Sequence, residues 1–438
     1  MLQSIYAGVS SLQSFQTGID VLANNIANVN TVGFKGSSTE FSNLLEKKVA
    51  TSGNAITSMQ SGLGVQVNAT SLDLKVGSYY QSDNNTDLAI MGDDGWFGLS
   101  GLNNETYFTR AGNFKFDPYN PDGTGEFPFY PYDEFDGSNT ISRLVNPEGL
   151  LVTGTLANNT TDGILNPVID DLDLDLTAVN AQEPLVFPTK LSYPVQASTQ
   201  VDYIGNLGIE NLPQVISATV ISPQSDRNNL KLTLTHSATQ PAAGGIRWDV
   251  TATTESNDGT VIYDTQTGQL EFDGTGAIAS STLTSINNDG ASVALNFGTG
   301  LSGLISNSGP TTTTAGLADG VLAGDLIDYN INRNGDVIST FTNGRQSVVG
   351  KVAIYHFQND QGLEAIGGNK FRSSENSGQA IFYAQDNGQL LAGTLENSNV
   401  ELGTALTELI IMQRSYDAAS KTITTGDELL KNALNMSR

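Results

Sequence analysis

Apolar residues recur every seven positions at the C-terminal end of the chain, and this heptad restricts the fold more than any other sequence feature. Its large members are Leu402, Leu409, Tyr416, Ile423 and Leu430. A second, mostly small residue follows each of them three positions later: Ala405, Met412, Ala419, Gly426 and Ala433. Such a heptad is typical of a helix that packs along its length against another helix, and the small residues allow a close approach.

The N-terminal segment carries a similar helical stripe, with apolar residues three or four positions apart. They are Leu2, Ile5, Val9, Leu12, Phe15, Ile19, Leu22, Ile26 and Val29. The stripe stops at an Asn-rich run followed by Gly33, and both residue types favour helix ends. We predict that the two terminal helices pair as a coiled-coil-like stalk and become ordered mainly on assembly. The alternative is two ordinary amphipathic helices, each folded onto its own domain.

Charge is concentrated between these two helices. Residues 1–34 contain only one charged side chain, Asp20, and residues 400–438 contain five acidic and four basic residues. Nearly all of the net charge of −26 therefore lies in the middle of the chain. This acidity argues strongly against nucleic acid as the main partner, because nucleic-acid binding requires a dense basic face.

The middle of the chain has the pattern of antiparallel β structure. Apolar and polar residues alternate at residues 71–76, 113–117 and 230–235, and Asp-Gly and Asn-Gly pairs mark turns between such segments. We predict a mainly β fold with α-helical termini and with antiparallel β domains nested between them. The expected units are a terminal helical domain (1–34 and 400–438), a linker region (35–80 and 386–399), an inner β domain (81–190 and 331–385) and an outer all-β domain (191–330).

No motif in the sequence supports catalysis. The absence of cysteine excludes disulfides and cysteine nucleophiles. Residues 298–303 (GTGLSG) match a dinucleotide motif, but the residues that follow do not predict the helix such a site needs. His236 and His356 lie in separate strand-like segments without a catalytic motif around either. We expect no catalytic residue and no cofactor.

Two groups of acidic residues deserve comparison with calcium sites. One group alternates along a predicted strand and lacks the turn glycine of a calcium loop: Asp170, Asp171, Asp173 and Asp175. The other surrounds Gly123 and is closer to an oxygen cage: Asp117, Asn120, Asp122 and Glu126. A solvated surface is the simpler interpretation of both, so we expect no metal site.

Motifs near both ends resemble, in the same order, those of the bacterial flagellar rod and hook axial proteins. They are ANNIANVNTVGFK (23–35), TDLAIMG (86–92), YFTRAGNF (107–114), LENSNVEL (395–402) and QRSY (413–416). The resemblance covers about the first and last hundred residues. Residues 117–145 form an insertion relative to many members, and residues 209–288 match no recognised pattern. Hook members are a better match than rod members, which are typically shorter and lack a large outer module.

The resemblance implies a structural subunit that polymerises into the hook, a flexible helical tube coupling the motor and rod to the filament. It implies other copies of the chain, the rod, the hook cap, the hook–filament junction and export proteins as partners, without nucleic acid or membrane insertion. It also implies an extracellular location reached by flagellar type III export without a cleaved signal peptide. The N-terminal segment agrees with this, since it lacks a basic n-region and a compact apolar core.

Two sets of residues are the expected functional sites. Helix packing and polymerisation are expected at Leu2, Ile5, Val9, Leu12, Ile19, Leu22, Ile26, Leu402, Leu409, Tyr416, Ile423 and Leu430. A turn and linker are expected at Asn24, Asn25, Asn28, Asn30, Gly33, Phe34 and Lys35, with the Asn side chains bonding the backbone of neighbouring copies. The alternatives are a distal rod or hook-like axial protein, a secreted β-domain carbohydrate-active enzyme, and an adhesin.

Overall fold

Two long α-helices stand at the ends of a chain that is otherwise mostly β. The structure is a computed structural model that describes residues 2–44, 46–48, 60–101, 105–119, 141–157, 160–161, 163–166, 182–242, 244–312, 315–382 and 390–436. Helix α1 spans Leu2–Ala27 and helix α2 spans Leu402–Met436. Within the described ranges, neither helix is long and apolar enough to cross a membrane. The predicted fold class is confirmed.

After α1 the chain forms a long β-hairpin before it enters the main β structure. Its strands, and the short strand that follows, are β1 (Ser37–Asn43), β2 (Glu46–Lys48), β3 (Gln60–Gly62), β4 (Val65–Leu72) and β5 (Tyr79–Gln81). Strand β1 pairs antiparallel with β4, from Ser37 opposite Leu72 to Asn43 opposite Val65. Residues 73–76, which the alternation assigned to a strand, instead form a loop, because their backbone bonds the junction described below.

The inner β structure begins with eleven strands. They are β6 (Leu88–Ile90), β7 (Trp96–Ser100), β8 (Thr106–Thr109), β9 (Lys115–Tyr119), β10 (Ile141–Val145), β11 (Leu151–Leu156), β12 (Thr160–Thr161), β13 (Ile164–Leu165), β14 (Glu183–Pro184), β15 (Val186–Pro188) and β16 (Ser192–Tyr193). Strands β7 to β16 form one part of a closed barrel.

The next strands form an outer module of two facing sheets. They are β17 (Gln200–Asp202), β18 (Gly205–Asn206), β19 (Gln214–Ile221), β20 (Arg227–His236), β21 (Ile246–Ser256), β22 (Ile262–Phe272), β23 (Ile278–Ser281), β24 (Ser285–Asn288), β25 (Ala291–Asn296), β26 (Leu304–Ile305) and β27 (Leu317–Ala318). Strands β19 to β23 form one sheet in chain order, and the other sheet has the order β24-β25-β17-β27. The alternation predicted at residues 230–235 lies within β20.

The chain then returns to the barrel and completes it. The returning strands are β28 (Gly324–Ile331), β29 (Asp336–Phe341), β30 (Gln346–Val352), β31 (Ile354–His356), β32 (Glu364–Gly367), β33 (Lys370–Arg372), β34 (Ile381–Phe382), β35 (Leu390–Ala392) and β36 (Thr394–Glu396). Strands β28 to β34 belong to the barrel, β35 pairs with β6, and β36 pairs with β5. A short 3₁₀ helix occupies Asp360–Gly362.

Two separate hydrophobic cores divide the β structure. The outer core extends from Val201 to Leu304 and contains Trp248. The barrel core contains four residues that the sequence analysis assigned to the outer domain: Leu191, Tyr193, Val321 and Tyr329. They belong to the barrel because β16 pairs with β28, with Ser192 opposite Asp325, and both strands turn apolar side chains inward. The boundaries therefore lie inside residues 191–330, nearer to Val201 and Leu304.

Candidate functional site: the paired helices and their junction with the barrel

Helices α1 and α2 pack against each other in antiparallel directions. Gly426 of α2 lies against Ile5 and Gly8 of α1 lies against Ile423, so rising numbers on one helix meet falling numbers on the other. A β-carbon added at Gly8 would lie only 2.7 Å from the Ile423 side chain, and one at Gly426 only 2.9 Å from Ile5. The close approach therefore depends on glycine at these two positions.

The structure places most of the expected packing residues along this contact, although few are fully buried. Leu22 is buried, and the half-buried members are Ile5, Leu12, Ile19, Ile26, Leu409, Tyr416, Ile423 and Leu430. Val9 is 41% exposed and Leu402 is 45% exposed, so these two do not lie in the contact within one chain. The side chain of Leu2 is outside the described residues. The small heptad positions Ala405, Ala419 and Gly426 are the buried residues of α2.

A second partner, the β1–β4 hairpin, explains why the buried residues of α1 do not follow the apolar stripe. The Ser14 hydroxyl donates to the Val65 carbonyl at 3.1 Å, and Gly64 lies against Ser10. The ring of Phe15 lies 6.0 Å from that of Phe41 on the hairpin. Helix α1 is thus covered on two sides, and its buried positions are Gly8, Ser14, Gly18, Leu22 and Asn25. Because two sides are covered, few positions on α1 are left to carry solvated charges.

The Asn-rich segment ends α1 by bonding within its own chain, which corrects the expectation that it bonds neighbouring copies. The Asn25 amide donates to the Ser37 carbonyl at 2.7 Å and accepts from the Ser37 N–H at 3.0 Å. The Asn28 amide donates to the Asn24 carbonyl at 2.9 Å. An amide side chain offers both a donor and an acceptor, so Asn25 can satisfy one strand residue completely. Asn30 is exposed and Phe34 is half-buried.

Gly33 turns the chain from the helix end into the barrel. Its φ of +63° lies in the left-handed region, and an added β-carbon would lie 2.6 Å from the backbone of Arg110 and Ala111. The Gly33 N–H donates to the Glu396 carbonyl at 2.7 Å. Only glycine satisfies both the angle and the space at this position.

Three fully buried charged side chains meet where both helices join the barrel; we call them the junction triad: Lys35, Arg110 and Glu396. The Lys35 ammonium lies 2.7 Å from Oε1 of Glu396, and Nη1 of Arg110 lies 3.5 Å from Oε2. Oε1 also accepts the Gly77 N–H at 2.9 Å. Lys35 follows α1, Glu396 precedes α2, and Arg110 follows β8, so one carboxylate connects both helix roots with the barrel.

Further bonds fasten the roots of the two helices to each other. The Asn399 amide accepts the Gly36 N–H at 2.8 Å and donates to the Asp73 carbonyl at 2.7 Å. Lys35 also donates to the Lys75 carbonyl at 2.8 Å. Each root therefore bonds the same hairpin-to-barrel segment, and the backbone groups displaced from strand pairing there are satisfied.

Burial dominates the electrostatics of the junction triad. It lowers the pKa of the Lys35 ammonium and that of the Arg110 guanidinium, and the Glu396 carboxylate opposes the shift in both cases. Burial of these charges is tolerated because the carboxylate pairs with them and the backbone supplies further partners. Sequence reasoning named Lys35 only as a linker residue and did not assign a role to Arg110 or Glu396. The available signal was three charged residues inside otherwise uncharged motifs.

The remaining chemical candidates are placed apart from one another. His236 lies edge-on against Trp248 in the outer module, with ring centroids 4.2 Å apart, and His356 lies 3.7 Å from Asp94 at the barrel. Asp117 pairs with Arg143 at 2.7 Å. Residues 298–303 form a turn between β25 and β26 rather than the start of a helix.

The proposed calcium groups fall largely outside the described residues: Asp170, Asp171, Asp173, Asp175, Asn120, Asp122 and Glu126. In the part of the chain that the structure describes, no three His, Asp or Glu side chains come together as a metal site would require.

Comparison with known proteins places these ends in a family. The model of the flagella basal body rod protein matches residues 5–35, and that of the flagellar basal body rod FlgEFG protein C-terminal region matches residues 391–436. The two matches cover α1 with its turn and the region from β35 through α2. They contain Lys35 and Glu396, and Arg110 lies between them.

Curated relatives match along nearly the whole chain. The flagellar hook protein FlgE of Salmonella typhimurium is 28% identical over 440 residues, which cover 99% of this chain and 100% of the relative. FlgE of Treponema pallidum is 28% identical over 502 residues, with 100% of both chains covered. A crystal structure of Helicobacter pylori flagellar hook protein FlgE2 covers 73% of this chain and 99% of its own, with 16% identity and a TM-score of 0.49.

The matches favour a hook protein over the rod, enzyme and adhesin alternatives, because relatives named as hook proteins align over their full length. Members of this family are structural proteins without enzymatic activity. The chain therefore belongs to the bacterial flagellar rod and hook protein family, and within it to the hook proteins.

Proposed function

We propose that this protein assembles into the tube of the flagellar hook through the outward-facing sides of its paired terminal helices. The observation that carries this proposal is the apolar surface that the pair leaves in solvent. On α2 it comprises Leu402, Leu406, Ile410 and Ile411, and on α1 it comprises Tyr6 and Val9; these six residues are 41 to 69% exposed. Exposed apolar residues grouped in this way are typical of an interaction surface.

A neighbouring copy is the occupant that best suits this surface. Leu402, Leu406 and Ile410 are spaced four apart and follow one side of α2, as required for a helix that packs beside another helix. The seam residues of the sequence analysis then have two roles. Leu409, Tyr416 and Ile423 hold the pair together, whereas Val9 and Leu402 contact other copies.

The acidic β structure belongs on the outside of such a tube. We propose the division of the sequence analysis for this purpose, with terminal helices at the axis, the barrel around them and the outer module at the surface. Like-charged, solvated surfaces repel each other and do not adhere. Neighbouring modules can therefore slide as the tube bends, while the nearly uncharged helices remain packed.

The location and partners follow from assembly into the flagellum. The chain forms part of its external structure together with other flagellar components. We further propose that it contacts the rod at one end of the tube, the hook cap during growth and the hook–filament junction at the other end. Export proteins would deliver it without cleavage of a signal peptide.

The test is the concentration of purified protein at which tubes form. Substitution Ile410→Asp places a charge in the exposed apolar surface of α2. Losing the burial of one such side chain costs about 1.5–3 kcal/mol, so the critical concentration should rise about tenfold or more. Substitution Ile262→Asp is the matched control, because Ile262 is 62% exposed on β22 of the outer module. Equal critical concentrations for the two variants would refute the proposed helical interface.

A further inference from the structure

The junction triad contains an ion pair that is only partly formed. Glu396 holds Lys35 tightly, with 2.7 Å between the charged atoms, but only Nη1 of Arg110 approaches its carboxylate, at 3.5 Å from Oε2. Oε2 of Glu396, and Nε and Nη2 of Arg110, are buried and have no hydrogen-bond partner within the described part of the chain. Two donors and one acceptor are therefore left open a short distance apart.

Such an arrangement favours a second conformation. A buried donor or acceptor without a partner is costly, and the arginine fork fits a carboxylate best when two N–H groups donate in parallel. In the present conformation Nη1 instead donates to the Gly92 carbonyl at 3.0 Å. A small movement of Arg110 would exchange that carbonyl for a two-bond contact with Glu396.

The two sides of this contact belong to different parts of the molecule. Glu396 is fixed to the helix roots by Lys35 and Gly77, whereas Arg110 is fixed to the barrel beside Trp96, whose ring lies 5.6 Å from the guanidinium carbon. Asp360, which accepts the Trp96 indole N–H at 2.8 Å, and Asp94 also act on Arg110 from the barrel side. Closing the contact therefore requires the barrel to shift relative to the helices.

We infer that Arg110 and Glu396 form a two-state joint that lets the barrel take two orientations relative to the helical pair. One state has the single long contact seen here, and the other has the two-bond contact. The inference rests on the proposed function, because a tube that bends places its subunits in unequal surroundings. Packed elements with two discrete arrangements are the usual basis of such switching.

The chain offers a direct probe, since it contains only two tryptophans, Trp96 beside the joint and Trp248 in the outer core. Protein labelled with 5-fluorotryptophan should give two ¹⁹F signals. In the monomer we expect exchange at Trp96, seen as two lines or as relaxation dispersion, and a single sharp line from Trp248. A sharp Trp96 line without dispersion in the unaltered chain would overturn the joint.

Substitution Arg110→Lys keeps the charge but removes the fork, so the exchange at Trp96 should disappear. Arg247→Lys is the matched control, because Arg247 pairs with Glu271 at 3.3 Å in the outer module and should leave the exchange unchanged. If Arg110→Lys does not fold, Glu396→Gln tests the same contact, since the neutral amide cannot accept both donors. Exchange that persists in a folded variant of either kind would refute the inference.

The polymer provides an independent measurement. Tubes of the Arg110→Lys variant should show a narrower distribution of curvature in electron micrographs than tubes of the unaltered chain, and an equally broad distribution would count against the joint. Failure of the unaltered chain to form tubes would instead refute the proposed function. The exchange measurement on the monomer is independent of that result.

Discussion

At the scale of single residues, the junction triad shows how a local contact can connect distant parts of a chain. Lys35 and Glu396 are 361 positions apart, and both side chains are fully buried. A buried pair of this kind adds little net stability compared with apolar residues, but the loss of one partner is costly. Its main effect is therefore on the specificity of the arrangement.

The cost of breaking the pair can be measured with Lys35→Met. This change leaves Glu396 with only the distant Arg110 as a charged partner, and we expect the free energy of unfolding to fall by about 3–5 kcal/mol. Calorimetry of the full chain would measure this loss. In the control, Lys351→Met, the pair is looser, with 3.8 Å to Asp336, and partly exposed, so about 0–1 kcal/mol is expected. Comparable losses in the two variants would contradict this account of the triad.

At the scale of elements, the sequence was informative about helices and less so about what covers them. The heptad of α2 correctly indicates a helix with another helix against its small residues, because periodicity records which side is apolar. It could not indicate the hairpin on the other side of α1. That contact uses Ser14 and Gly64, whose hydrogen bond and close packing leave no apolar pattern.

The helix seam can be tested with Leu409→Asp, which introduces a charge at a half-buried position of α2. An unpaired charge placed there costs several kcal/mol, so the variant should lose tube formation and helical circular dichroism while the β modules stay folded. Thr407→Asp adds the same charge on the exposed side of the helix and should retain the helical signal. Tubes formed by the Leu409→Asp variant would show that the seam is wrongly assigned.

At the scale of the whole molecule, alternation and turn residues predicted two β units but not their exact limits. Leu191 and Tyr329 could have faced either core, because a strand pattern records which side is apolar but not which sheet it joins. Charge partition was visible in the sequence. The buried triad was not, since long-range pairing of charged residues leaves no periodic signal.

Acid should weaken the outer module through its turn aspartates. Hydrogen bonds from the Ser256 hydroxyl and from Thr260 lower the pKa of Asp258 to about 2, and bonds from Thr275 lower the pKa of Asp273. Because both values lie below that of the unfolded chain, their stabilisation is present above pH 4 and is lost as the pH falls towards 2. The double variant Asp258→Asn/Asp273→Asn should therefore lose less stability over this interval.

The fluorine signal of Trp248 would follow unfolding of the outer module in this acid titration. That of Trp96 serves as the control, because the barrel contains neither aspartate, and its transition should be the same in both proteins. If the Trp248 transitions of the unaltered chain and the double variant had equal pH dependence, these turns would not be the source of acid sensitivity.

The position at which the chain leaves the barrel and returns to it has an evolutionary consequence. Gln196 and Val321 bond each other in both directions, at 2.9 and 2.8 Å, so the outgoing and returning segments lie side by side. Everything between them can lengthen, shorten or be exchanged without moving a barrel strand. Lineages are therefore free to diversify the surface presented to their surroundings while the parts nearest the helices stay under selection for fit.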